Sequence, residues 1–223
     1  MPSLGQSVYV TDGAFTGSIR ALMIEAGCYP ARTYEEADII VFSGGSDINP
    51  SLYNEKPAGT YGWSEERDAF EVKVYHHCVE KNKFMFGICR GAQFLHAMNN
   101  GRLWQDVGNH GHEHTIADLE TGQVVMATSI HHQMLRNNNR LVVVACTTRQ
   151  VSKRFKAENT EILLTDGHTE LEIEAGYYPD TPCFFVQGHP EIGTPEYRSW
   201  TMTKLEAVMT DWFAVNPRER KVA

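Results

Sequence analysis

The stretch from Phe84 to Gly101 reads FMFGICRGAQFLHAMNNG. It opens with an apolar run short enough for a buried parallel strand, and it continues as a helical pattern that Asn99-Asn100-Gly101 would end. Cys89 stands at the turn between the two. Glycines two residues before and two residues after it let the backbone bend sharply, so that a nucleophilic side chain can project from the end of the strand. The alternative is an inert core cysteine in a tight turn.

The composition favours a single domain in a reducing compartment. The chain has 223 residues, and we expect one domain over residues 1–216 and a tail over 217–223. A net charge of −8 argues against a surface for nucleic acid. Five scattered cysteines and a start without a charged-then-apolar leader predict free thiols in the cytoplasm. No apolar run approaches the roughly 20 residues that a membrane span needs.

The first half of the chain alternates between strand and helix patterns, which predicts a parallel sheet with right-handed crossovers. The predicted strands are Ser7–Thr11, Tyr29–Tyr34 and Ile39–Phe42. One helix is predicted from Ser18 to a stop at Gly27, and another over Glu65–Lys81 with Phe70, Val74 and Cys78 on its inward stripe. Gly44-Gly45 follows the third strand, at a strand end of the kind that binds ligands in open α/β sheets. An ordinary turn is the alternative there.

The second half of the chain has a different sequence pattern. Short apolar runs separated by polar turns, with no helical period between them, predict antiparallel strands. These runs are Val124–Ala127, Leu141–Cys146, Glu161–Leu164 and Leu171–Glu174. A buried strand over Pro182–Gln187 and an amphipathic helix over Pro195–Phe213 close the domain.

His189 is the best candidate for a base beside Cys89. The dipole of the helix after Cys89 favours a thiolate, which needs a base to take its proton and a third group to orient that base. His189 ends the buried strand, and Glu191, two residues later, can place its carboxylate against the far ring nitrogen. A surface histidine in a proline turn is the alternative.

Three histidines, His110, His112 and His114, alternate along the chain and would point to one side of an extended segment. A zinc site is one interpretation of this pattern. Because no further ligand follows at the usual spacing, we expect no metal and a polar loop near the mouth of the site.

These residues resemble the class I glutamine amidotransferase family. The resemblance rests on Gly87–Gln93 together with His189-Pro190-Glu191, and it covers most of the chain. It implies a three-layer, flavodoxin-like α/β sandwich with a mostly parallel central sheet and antiparallel additions in the C-terminal half. Four further blocks look more like the γ-glutamyl hydrolase branch, which includes γ-glutamyl-γ-aminobutyrate hydrolases: Gly44–Tyr53, Arg67–Glu71, Gly101–Asp106 and Ser129–Gln133.

The resemblance also implies roles for individual residues. Cys89 would be the nucleophile, His189 the general base and acid, and Glu191 the carboxylate that orients it. The backbone N–H groups of Gly45 and Arg90 would form the oxyanion hole. Substrate contacts would come from Gln93, Ile130, His131 and His132. Gly188 departs from the family, which has an aromatic residue there, and the glycine is expected to leave more room or backbone freedom at the pocket.

The implied chemistry is hydrolysis of a γ-glutamyl amide through a thioester, with no cofactor. Two enzymatic alternatives stay open. One is a glutaminase component that releases ammonia to a separate synthetase, and the other is an independent hydrolase of a γ-glutamyl conjugate. A third alternative is a non-catalytic binding protein that keeps the fold.

Overall fold

The computed structural model describes residues 3–164 and 170–217, and it has the alternating order that the sequence predicts. The helices are α1 (Thr16–Glu25), α2 (Glu65–Glu80), α3 (Arg90–Met98) and α4 (Pro195–Val215). The strands are β1 (Ser7–Val10), β2 (Tyr29–Pro30), β3 (Ile39–Phe42), β4 (Phe84–Ile88), β5 (Leu103–Trp104), β6 (Asp106–Gly108), β7 (His114–Asp118), β8 (Val124–Ala127), β9 (Met134–Leu135), β10 (Val142–Thr147), β11 (Arg154–Ala157), β12 (Thr160–Leu163), β13 (Ile173–Tyr177) and β14 (Cys183–Val186).

The main sheet has a parallel half and an antiparallel half. Its order is β2-β1-β3-β4-β14-β13-β10-β7-β8, and the strands are parallel from β2 through β14. From β13 onward each strand runs antiparallel to its neighbour. Strands β12, β11 and β6 form a smaller sheet. The predicted mostly parallel sheet with antiparallel additions is therefore confirmed.

Helices cover both faces of the parallel half. Successive side chains of a strand point to opposite faces, so Ile39 and Val41 of β3 pack with α1 and α4, whereas Ile40 and Phe42 pack with α2 and α3. Burying one such side chain contributes about 1.5–3 kcal/mol of transfer free energy. This arrangement explains why β3 and β4 are uninterrupted apolar runs, and it aligns their carboxyl ends at one edge.

Capping residues set where the long helices begin. Ser64 accepts a hydrogen bond from the Arg67 backbone N–H at 3.3 Å, and acidic residues fill the first turn of α2. Thr194 caps α4 in the same way through the Tyr197 N–H at 3.2 Å, with Pro195 at the first helical position.

Two local predictions were wrong. The second strand ends at Pro30 rather than Tyr34. β2 lies at the edge of the sheet, and the hydrogen bonds that join it to the β1 segment come from the N–H groups of Tyr29 and Ala31, on either side of Pro30. Phe70 is 38% exposed, and the inward face of α2 carries Asp68 and Glu71 instead. The predicted tail after Pro217 lies outside the described residues.

Candidate active site

Cys89 occupies the sharp turn between β4 and α3. Its backbone angles, φ 53° and ψ −109°, are strained for a residue with a side chain. A side chain at Gly91 would clash with the carbonyl of Phe42, so only glycine permits α3 to start this close to β3. Cys89 lies at the N-terminus of α3, where the first N–H groups have no partner within the helix. The turn thus matches the geometry that the sequence predicts.

His189 follows β14, the neighbour of β4 in the sheet. Its Nδ1 lies 2.6 Å from Oε1 of Glu191, which stands in the short 3₁₀ turn Pro190–Ile192. The other side of the ring faces Cys89: a Cβ atom added at Gly44 would lie 2.8 Å from Cε1 of His189 and 3.6 Å from Cβ of Cys89. The structure therefore brings together all three residues predicted to act as nucleophile, base and orienting carboxylate.

The electrostatics of this group favour a charged imidazole. Burial opposes the charge, but the contacts with Cys89 and Glu191 outweigh it and raise the pKa of His189 to about 10. The ring of Phe15, 41% exposed, packs edge-on against His189 at a centroid distance of 5.2 Å and covers it on the solvent side.

The backbone of His189 is held by one hydroxyl. Thr128 Oγ1 accepts the His189 N–H at 2.9 Å and donates to the His189 carbonyl at 2.8 Å. The expectation that Gly188 leaves room at the pocket was wrong. A Cβ atom there would lie 2.5 Å from both the Thr128 carbonyl oxygen and the Tyr197 hydroxyl, and Tyr197 is fully buried.

Gly45 and Arg90, the residues predicted to form the oxyanion hole, lie at the carboxyl ends of β3 and β4. Gly45 has φ +145°, and a Cβ atom there would clash with the guanidinium of Arg67. That guanidinium donates to the carbonyl oxygens of Ser43 at 2.9 Å and Gly44 at 3.1 Å. The loop that carries Gly45 is therefore held from α2.

The side chain of Arg90 extends into the protein, away from the role predicted for its backbone. It is 1% exposed and forms ion pairs with Asp68 and Glu71 of α2. Glu71 also accepts a hydrogen bond from Arg67 Nε at 3.0 Å. The resemblance to the γ-glutamyl hydrolase branch includes the Arg67–Glu71 block but implies no role for its residues. Its signal was the placement of acids at helical spacing on the face that turns toward the core.

The residues predicted to bind substrate have different surroundings in the structure. Gln93 is buried, and its Nε2 lies 3.4 Å from the Gln133 carbonyl oxygen. Ile130 is 58% exposed. His132 lies 3.0 Å from Asp47 and stacks on Tyr61 at 4.7 Å. The segment from 128 to 133 is irregular.

His131 faces the interior and belongs to a buried histidine cluster. Its ring packs against His110 at a centroid distance of 4.9 Å. Burial and the positive charge of His110 lower the pKa of His131 to about 3. Burial opposes a charge on His110 itself, but hydrogen bonds to Glu172 and Glu174 raise its pKa to about 9.

The prediction of a polar loop with three histidines on one side was wrong. His110 and His114 are buried and both contact Glu174, whereas His112 is exposed. The His112 N–H donates to the His110 carbonyl at 2.9 Å, and this tight turn rotates His112 outward.

Comparison with known proteins agrees with this architecture. The Peptidase C26 family matches residues 21–191. A putative glutamine amidotransferase-like protein of Lactococcus lactis is 27% identical over 63% of this chain and 69% of its own length. The carbamoyl phosphate synthase small chain of Vibrio cholerae is 26% identical over 78% of this chain and 40% of its own length. A glutamine amidotransferase from Thermotoga maritima has the same fold, with a TM-score of 0.58, 14% identity and coverage of 94% of this chain and 92% of its own.

The helices of the described residues are all too short or too polar to cross a membrane. The match spans both the turn at Cys89 and the segment from His189 to Glu191. The chain therefore belongs to the Peptidase C26 family, among the class I glutamine amidotransferase-like proteins.

Proposed function

We propose that this chain hydrolyses a γ-glutamyl amide through Cys89, with His189 as general acid and base and Glu191 as its orienting carboxylate. One observation carries the proposal. The imidazole of His189 lies between a strained cysteine at a strand–helix turn and a carboxylate 2.6 Å away, and these neighbours raise the pKa of His189 to about 10 against the effect of burial. Such a pair places a nucleophile next to its proton donor.

The reaction follows from these positions. The Cys89 sulfur attacks the γ-carbonyl carbon, and the carbonyl oxygen becomes an oxyanion that the N–H groups of Gly45 and Arg90 stabilise. The carbon–nitrogen bond then breaks, and His189 donates a proton to the departing ammonia or amine. A water molecule, deprotonated by His189, attacks the γ-glutamyl thioester and releases glutamate and the thiol. We assign Gln93 and the segment 130–132 to the amino-acid end of the substrate.

Two substrate classes remain candidates. The carbamoyl phosphate synthase small chain among the relatives supports a glutaminase component that passes ammonia to a separate synthetase. The resemblance of the Arg67–Glu71 block to the γ-glutamyl hydrolase branch supports an independent hydrolase of γ-glutamyl conjugates. We favour γ-glutamyl amides as the shared substrate class. The unpaired state of all five cysteines fits a reducing compartment such as the cytoplasm.

A substrate screen tests the proposal. Glutamine and a series of γ-glutamyl amines are supplied to the full chain, and released ammonia or amine is measured. Cys89→Ala should abolish release, whereas Cys146→Ala, which removes a thiol whose pKa burial raises to about 12, should retain it. Fast turnover of glutamine without a partner would weaken the synthetase alternative. Absence of turnover, together with absence of labelling at Cys89 by a γ-glutamyl electrophile, would favour the non-catalytic binding role.

A further inference from the structure

A buried cluster of histidines lies behind the candidate active site. His110 and His114 both direct Nε2 at one oxygen, Oε1 of Glu174, at 2.9 Å and 3.2 Å. One ligand atom from each of the three residues lies within 4.8 Å of the other two. Glu174 belongs to β13, and its carbonyl oxygen accepts the backbone N–H of Gln187, two residues before His189. The cluster is thus tied to the strand end that carries the imidazole.

The hydrogen bonding of His114 leaves a lone pair directed at Glu174. His114 Nδ1 lies 3.0 Å from the His112 carbonyl oxygen, which can only accept a hydrogen bond, so the proton of a neutral ring is on Nδ1. Nε2 then faces a carboxylate oxygen, and two acceptors meet. Either a proton or a metal ion between them removes this conflict.

His110 shows the arrangement that commonly supports a metal-bound histidine. Its Nδ1 lies 3.3 Å from Oε1 of Glu172 and 2.9 Å from the Ser152 hydroxyl, while Nε2 points into the cluster. Glu172 is itself fixed by the backbone N–H groups of Val151 at 2.7 Å and Ser152 at 2.6 Å. A carboxylate on the outer nitrogen orients the ring and makes its inner nitrogen a stronger ligand.

His131 packs against His110 at the side of this group. Its Nδ1 lies 2.8 Å from the Gln133 carbonyl oxygen and 3.1 Å from Nε2 of Gln187. Its Nε2 is buried and has no hydrogen-bond partner among the residues that the structure describes, and the same is true of Oε2 of Glu174. Buried polar atoms of native proteins rarely lack partners, so these two point to a bound group.

We propose that His110, His114 and Glu174 bind a zinc ion. Two imidazoles and one carboxylate are ligands that zinc accepts, and ligand atoms about 2.1 Å from a tetrahedral zinc lie about 3.4 Å apart. The observed separations of 2.9 Å and 3.2 Å are close to that value. Three protein ligands leave one position of a tetrahedral ion for a water molecule. The ion joins His110 and β7 to β13, whose Glu174 is bonded to the strand end that leads to His189.

Zinc uptake by the full chain tests this proposal without reference to activity. The protein is stripped with a chelator, supplied with zinc chloride, desalted and analysed for bound metal and thermal stability. We expect one tightly bound zinc per chain and a raised melting temperature. His114→Ala and Glu174→Gln should lose the metal. His112→Ala is the matched control, because it removes an exposed histidine of the same loop and should bind zinc like the parent.

Two further measurements keep the proposal testable if a ligand variant folds poorly. Glu172→Gln keeps all three ligands but weakens the support of His110, and we expect zinc affinity to fall about 10- to 100-fold. Cobalt supplied to the parent chain should give the intense visible absorption of a tetrahedral site. Absence of stoichiometric zinc in the parent, an octahedral cobalt spectrum, or equal losses in His112→Ala and His114→Ala would overturn the proposal.

Discussion

His189 is held by a different contact on each side. Thr128 fixes its backbone, Glu191 binds Nδ1, and Phe15 packs edge-on against its ring. These contacts leave the imidazole little freedom except toward Cys89. A base constrained in this way keeps its geometry without substrate, which lowers the reorganisation needed during proton transfer. The pH dependence of the reaction should report the contact with Glu191.

Glu191→Gln is expected to move the basic limb of the kcat profile to lower pH. Burial opposes a charge on His189, whereas Cys89 and Glu191 raise its pKa to about 10, so the protonated form persists up to that pH. Because the protonated ring is the proposed acid for the leaving amine, kcat should fall as pH rises through this value. Removing the carboxylate charge lowers the pKa, and kcat at neutral pH should fall about 10²- to 10⁴-fold.

The matched control for that profile is Glu196→Gln, which removes an exposed carboxylate in the first turn of α4. It should leave both the rate and the basic limb unchanged. A basic limb in the Glu191→Gln variant that coincides with that of the parent would contradict the proposed contact.

Gly188→Ala should destabilise the protein. The new methyl group would lie 2.5 Å from the Thr128 carbonyl oxygen and from the Tyr197 hydroxyl, and these buried groups have no space to retreat. Overpacking of this kind costs about 1–3 kcal/mol in the free energy of unfolding. Urea denaturation measures it against Gly111→Ala, whose methyl group would meet no atom within 4 Å. Equal stability of the two variants would show that the backbone at Gly188 shifts freely.

Local motifs made the residues of the candidate active site predictable. The Gly-x-Cys-x-Gly turn and the His189–Glu191 spacing each concern a few adjacent residues, whose geometry depends mainly on backbone constraints. Glu174 was not predicted as a partner of His110 and His114 because 60 or more residues separate them in sequence. Contacts of that range depend on strand order, which local patterns leave open.

Helix α2 holds two turns of the chain in position, one after β3 and one at the start of α3. Arg67 holds the loop after β3, and Asp68 and Glu71 hold Arg90 at the start of α3. Glu71 also accepts the Thr11 hydroxyl at 2.9 Å, which ties in the end of β1. The charges are buried, so removing one partner would leave another uncompensated at a cost of about 3–5 kcal/mol.

Arg67→Lys should lower kcat by a factor approaching 10² with little change in KM. Lysine keeps the charge but lacks the planar fork that donates to Ser43, Gly44 and Glu71 together, so the N–H of Gly45 loses its position. Loss of one oxyanion donor costs about 10²- to 10³-fold in kcat. Inhibition by a γ-glutamyl aldehyde, which forms a tetrahedral adduct with the thiol, should weaken in parallel with kcat/KM. Glutamate binding should stay constant.

Lys73→Ala is the control for that helix, because Lys73 is exposed on α2. It should retain the parent kcat and the parent aldehyde inhibition. A uniform rise in KM in Arg67→Lys, with kcat unchanged, would contradict a role for Arg67 in positioning the loop.

The misassignment of Phe70 has the same origin as the unassigned role of the Arg67–Glu71 block. An amphipathic reading places apolar residues inward and acids outward. In α2 the acids Asp68 and Glu71 face inward because Arg90 supplies their countercharge. The sequence predicts that a helix forms here. Which face of α2 is buried depends on Arg90, a residue of another helix.

At the scale of the whole molecule, the two halves of the sheet contribute different groups of residues. The parallel half supplies Cys89 and His189 at adjacent strand ends, and the antiparallel half supplies the buried polar cluster around Glu174. Glu172 and Glu174 belong to the predicted strand Leu171–Glu174, and both are buried. The β-strand period was predictable, whereas the polar interior on that face was not.

The single-domain prediction can be tested by calorimetry. Strand β14 pairs with β4 of the parallel half and with β13 of the antiparallel half, so the halves share one strand. We expect one heat-absorption peak, with van't Hoff and calorimetric enthalpies in agreement. Two resolved transitions would contradict a single domain.

The position of His189 depends on a single hydroxyl group, that of Thr128 in a neighbouring segment of the chain. Deuterium uptake at the His189 amide should therefore be slow, since that N–H is bonded to the Thr128 oxygen at 2.9 Å. Thr128→Val removes the oxygen and should accelerate exchange, whereas Thr128→Ser keeps it and should not. A mass-spectrometric exchange experiment can thus follow how firmly the ring is anchored in the absence of any substrate.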